Sequence, residues 1–155
     1  MSLVTLRLAA LSLLLAAGAC FAADVGPPAN DKLAGARSRI AEKNWTAAID
    51  ELKKVDDPAS ADWNNLMGYS LRKADPVANA EAAEKFYDAA LRIEPRHRGA
   101  LEYSGELYLM TGNLAKAEER LATLDKACFL PCEEYKELKS AVARYKAAGN
   151  RYVAP

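Results

Sequence analysis

Apolar positions along this chain recur three and four residues apart, in stretches of helical length separated by short polar breaks. The breaks are Lys43-Asn44, Asp56-Asp57-Pro58, Asp75-Pro76, Glu94-Pro95-Arg96, Thr111-Gly112-Asn113 and Leu130-Pro131. Each is turn or capping chemistry, because proline stops a helix and glycine or asparagine tolerates the left-handed residue that follows one. They predict seven helices, near residues 30–43, 45–55, 59–74, 77–94, 98–111, 113–126 and 131–148. No stretch sustains period-two alternation of β-branched residues, so no sheet is expected. The start of the chain has a different pattern. After Arg7, residues 8–19 run without a charge, 12 residues against the ~20 needed to span a bilayer.

A short basic start, a short apolar run and then small residues form the layout of a secretory signal peptide. The expected organisation is a signal peptide over 1–23, a linker over 24–28, a helical domain over 29–148 and a tail over 149–155. Cleavage after Ala22 places Cys20 and Ala22 at the two small-residue positions. Ala17-Gly18-Ala19-Cys20 offers a second reading as a lipobox, in which Cys20 is acylated and becomes the new N-terminus. Ala17 stands where a leucine is usual, so ordinary cleavage and a periplasmic product are favoured. Lipid attachment at Cys20 to the outer membrane is the alternative.

The helices repeat in pairs. The best pair reads Leu101, Ser104, Gly105, Tyr108, then Ala117 and Leu121; a second reads Asn64, Met67, Gly68, Leu71, then Ala83, Tyr87 and Pro95. A degenerate first pair reads Lys32, Gly35, Ala36, Arg39, then Ala48 and Leu52. From small residue to alanine the spacing is 12 in the first and third pairs and 15 in the second, an insertion of 3 at the Asp75-Pro76 turn. The alanines Ala48, Ala83 and Ala117 are 35 and 34 residues apart. Small residues at these positions are expected to let the two helices of a pair approach closely.

On these residues the chain resembles the tetratricopeptide repeat proteins over about residues 29–148. Within them it is similar to short exported bacterial members ending in a CFxxCEEY signature, here Cys128-Phe129-Leu130-Pro131-Cys132-Glu133-Glu134-Tyr135. The resemblance implies an all-α, right-handed solenoid of three helix-turn-helix repeats, near 29–58, 59–95 and 96–130, plus a capping helix over 131–148. It also implies a non-catalytic scaffold in the bacterial envelope that binds a protein or peptide, without identifying the partner.

In such repeats the first helices line the concave surface, and helical spacing assigns Leu33, Arg37, Ile40, Asn65, Tyr69, Arg72, Lys73, Glu102, Glu106 and Leu109 to it. Of these, Arg37, Asn65, Tyr69, Arg72, Lys73, Glu102 and Glu106 are the candidate peptide-binding residues. Glu102 and Glu106 depart from the all-basic carboxylate clamps of some members. A peptide with a basic residue next to an acidic end suits the mixture better. Trp45 reads as a packing residue, and Trp63 as core or groove.

Composition narrows the remaining chemistry. The 155 residues amount to about one domain, 51% hydrophobic and 27% charged, a globular balance. Lysine plus arginine equals aspartate plus glutamate at 21 each, so no charge excess points to nucleic acid. Contact with a membrane is expected only through an acylated Cys20. His97 is the one histidine, and Arg96 and Arg98 beside it disfavour a divalent cation held with Glu102 and Glu106, so neither metal nor cofactor is expected. Carboxylates without a nucleophile or pocket motif do not indicate an enzyme.

Cys128 and Cys132, four apart on a chain bound for an oxidising compartment, are expected to pair as a structural disulfide. Pro131 suits the first turn of the last helix. A thiol–disulfide or metal-handling role for the same pair is the alternative, against which the CxxxC spacing and the lack of a βαβ pattern weigh. Mass spectrometry of the mature protein is expected to find an unmodified N-terminus at Ala23 or Asp24; an acylated Cys20 would establish the lipoprotein instead.

Overall fold

The computed structural model describes residues 31–154. The signal peptide, Cys20 and the linker lie outside them. Among the described residues there are seven α-helices and no strand: α1 Ala34–Ala41, α2 Trp45–Val55, α3 Ala61–Ala74, α4 Ala80–Ile93, α5 Arg98–Met110, α6 Leu114–Ala127 and α7 Glu133–Ala147. Each helix packs on the next in sequence, and the odd-numbered helices also touch one another in order, α1 to α3 to α5 to α7. They form one row and the even helices another, an all-α helical-repeat solenoid.

The breaks act as capping chemistry. Asn44, Ser60 and Asn113 accept at their side-chain oxygens from the backbone N–H groups of Ala47, Trp63 and Lys116, which begins α2, α3 and α6. Asp56, with φ of 45°, and Gly112, with φ of 79°, take the left-handed conformation between α2 and α3 and between α5 and α6.

Five helices start later than the periodicity predicts: α3 and α6 by two residues and one, each directly behind its capping Ser60 or Asn113, and three others for local reasons of their own. The first begins at Ala34 rather than near 30, because the Asp31 carboxylate accepts from Leu33 N at 2.9 Å in a turn. The fourth begins at Ala80 rather than 77: Asp75 Oδ1 accepts from the N–H groups of Val77 and Ala78, and Asn79 donates to the Leu71 carbonyl. The extra residues of the second pair are held in that turn. The last begins at Glu133, with Cys132 as its N-cap, so Pro131 lies outside the helix rather than in its first turn.

The core follows the repeat phase. Ala48, Ala83 and Ala117 are fully buried. A Cβ on Gly68 would lie 2.9 Å from the Tyr87 ring and 3.1 Å from the Ala83 carbonyl, so Gly68 does receive its paired helix. Gly105 differs from expectation. Its nearest neighbour is Leu138, where a Cβ would come within 2.6 Å, so it makes room for the cap α7 rather than for its partner α6. Trp63 is core: it is buried, donates its indole N–H to the Leu52 carbonyl at 2.7 Å, and sets its ring edge-on to Phe86.

The backbones of the even-numbered helices stay apart. Between α4 and α6 the gap is bridged by Glu84 with Lys116 and by Asp88 with Arg120. Between α2 and α4 an apolar groove of about 530 Å³ remains, walled by Ile49, Met67, Leu71 and Phe86.

Alanine at Gly68 gains up to ~1 kcal/mol of helix propensity but meets a carbonyl that cannot retreat, and overpacking costs ~1–3 kcal/mol. Urea denaturation is expected to show Gly68→Ala destabilised by about 1–2 kcal/mol. Gly35→Ala, where a Cβ would meet only the flexible Glu51 carboxylate at 3.4 Å, is expected to be neutral or stabilised.

Candidate functional site

The face made by α3 and α5 carries most of the predicted residues. Tyr69 of α3 and Tyr103 of α5 pack ring to ring at 4.6 Å between centroids, and Trp45 of α2 closes edge-on against Tyr69 at 5.9 Å. The Arg72 guanidinium lies 5.7 Å from both tyrosine centroids. It is 3% exposed and pairs through Nη1 with Glu106 Oε2 at 2.8 Å. Arg72 and Glu106 therefore neutralise each other across two repeats. Lys73 remains exposed, its ammonium 5.6 Å from the Tyr69 ring. Asn65 is buried at the same interface, against Gly99, with no hydrogen-bond partner for its Oδ1 among the described residues.

Glu102 has no ion-pair partner among the described residues, although it stands in the middle of this face. Burial, reinforced by the carboxylates of Glu106 and Glu134 and opposed by Arg72, pushes its carboxyl up to about 8. The structure thus brings together Asn65, Tyr69, Arg72, Glu102 and Glu106, with Lys73 at the edge.

Arg37 belongs to a second cluster. It reaches Asp62 at 2.9 Å, and Asp62 also holds His97 Nε2 at 2.9 Å. His97 is the N-cap of α5, and its Nδ1 accepts from the Ala100 N–H at 3.1 Å. Nε2 therefore carries the ring proton and donates to Asp62. Burial works against the Asp62 charge, but the His97 hydrogen bond and the Arg37 charge hold its carboxyl below the ordinary range. With Arg98 3.6 Å from Glu134, Asp62 and His97 border a polar cleft of about 280 Å³. Both His97 nitrogens are engaged, and no three metal-ligating side chains are gathered among the described residues.

Leu33 and Leu109, expected on the concave face, are buried in the core. Tyr103, Asp62 and Arg98 were not predicted. Tyr103 lies 34 residues after Tyr69, one repeat length, and that phase was the available signal.

Cys128 and Cys132 lie at bonding distance, 2.05 Å between sulfurs and 5.8 Å between Cα atoms. They join the end of α6 to the N-cap of α7. The loop they close presents Phe129 and Leu130 fully or largely to solvent.

A family model described as tetratricopeptide repeat matches residues 78–142, from the turn before α4 into α7. The match supports reading the chain as a tetratricopeptide repeat protein, a class that generally mediates protein–protein interaction without catalysis. No curated protein matches the chain.

The raised Glu102 carboxyl has a stability consequence. Its folded value lies above that of an unfolded glutamate, so the folded state binds the extra proton. Its contribution is fully present below about pH 4.5 and is lost as pH rises through about 8. Thermal melts from pH 5 to 9 are expected to show this decline in the wild type and a shallower one in Glu102→Gln.

Proposed function

We propose that this chain is an exported, non-catalytic adaptor of the bacterial envelope that holds an extended segment of a partner protein across the α3–α5 face. The observation that carries the reading is Glu102, an acid without an ion-pair partner among the described residues, half-buried beside the Tyr69–Tyr103 pair. A lysine or arginine of the partner placed there would supply the missing counter-charge while its stem lies on the rings. Lys73, exposed at the edge, suits an acidic group on the same segment, and Asn65 lies buried beneath the face against Gly99. Arg72 and Glu106 act as the fixed floor, because each already has its partner. Arg37 serves the Asp62–His97 junction at the margin. The Cys128–Cys132 bridge sets how the cap meets the third repeat.

Affinity capture from envelope extract tests the reading. The mature protein is expected to retain a partner that is lost with Asn65→Ala/Tyr69→Ala and with the exposed Lys73→Glu, which leaves the core untouched. It should be kept with Lys53→Ala at the opposite groove. Recovery of the same partner by every variant excludes this face. Binding of a basic partner ionises Glu102, so affinity is expected to rise with pH up to about 8.

A further inference from the structure

Past α7 the chain reverses. Gly149 and Asn150 take positive φ, 68° and 61°, and their N–H groups return to the carbonyls of Lys146 and Tyr145. Of residues 149–154 only Tyr152 is withdrawn from solvent. Its ring packs against the core that the third repeat shares with α7, while Val153 is 47% exposed. No hydrogen bond ties Tyr152, Val153 or Ala154 to the helices among the described residues. One aromatic side chain holds the segment down.

That side chain lies within electrostatic reach of the Arg72–Glu106 pair. Burial raises the Tyr152 hydroxyl, and it feels the Glu106, Arg72 and Arg144 charges. Met110 sets its sulfur 3.7 Å from Arg72 Nη1 and so reports on the surroundings of that pair.

We infer that the binding face ends in an aromatic-accepting subsite that the chain fills with its own Tyr152, and that a partner segment must replace this tyrosine with an aromatic residue of its own. The inference rests on the α3–α5 face being the binding surface. A ring tethered by four residues from the end of the helix is present at millimolar effective concentration, so weak intrinsic affinity suffices for high occupancy. A subsite nine-tenths self-occupied would weaken an incoming aromatic about tenfold.

The probe is a synthetic hexapeptide of residues 150–155, Asn-Arg-Tyr-Val-Ala-Pro, titrated against the mature protein while the Met110 methyl resonance is followed. With Tyr152→Ala, the peptide is expected to shift that resonance saturably. With the wild type it should require about tenfold more peptide, and the same peptide carrying alanine for tyrosine should do nothing. A second variant ending at Asn150 should behave as Tyr152→Ala does, with a cooperative melt lowered by only the few degrees that losing the latch implies reporting an intact fold. Equal titration of wild type and variant, or no shift in either, overturns the self-occupied subsite. If Asn65→Ala/Tyr69→Ala still abolishes capture in that case, the binding face stands and the latch alone has failed.

Discussion

Everything in this molecule depends on how closely neighbouring helices can approach. No repeat has enough apolar surface to bury a core alone, so each must stack on the next. Stacking needs a side-chain-free spot on one helix and a methyl-sized one on the other. Gly68 against Tyr87 and Ala83 is the tightest such contact inside a repeat, and Gly105 against Leu138 the tightest between the last repeat and its cap. The two glycines occupy similar places in the sequence pattern yet meet different partners. The close approach at Gly105 carries the array past its third repeat and onto α7.

That stacking also makes the electrostatics of the site. Bringing α3 against α5 removes Arg72 from water, and a buried guanidinium is tolerated only with a counter-charge in good geometry. Glu106, at 2.8 Å, provides it, and the two tyrosines flank the pair. The arrangement uses up one acid of the face and leaves Glu102 beside it without an equivalent. An acid held in partial burial, with other carboxylates near and its closest cation already engaged, is poised for an incoming positive charge. The chemistry of the face follows from an inequality between two glutamates one helical turn apart.

The far end of the row is governed by simpler means. A disulfide-closed loop joins α6 to the cap, and beyond the cap the chain turns back through two left-handed residues. With a single half-buried ring and no backbone pairing beyond Asn150 among the described residues, the returning segment has little to lose by detaching. Local stability is therefore low in this returning segment.

The helices, their pairing and their phase were legible in the amino-acid order. Helical period and capping residues are local properties, and three in-phase alanines leave few other architectures. It also placed most candidate residues on one face, because helical spacing needs no partner to be read. Tertiary structure alone decided which of them are free. Spacing puts Arg72, Glu102 and Glu106 on equal terms, but the ion pair forms only when α3 and α5 are set side by side at their actual height and rotation. The same contact enlisted Tyr103 and joined His97 to Asp62, the α1–α3 contact brought Arg37 to that carboxylate, and the turn after α7 laid Tyr152 on the core. Pairing between residues 34 or more apart is a matter of distance in space, and periodicity along one helix carries no information about it.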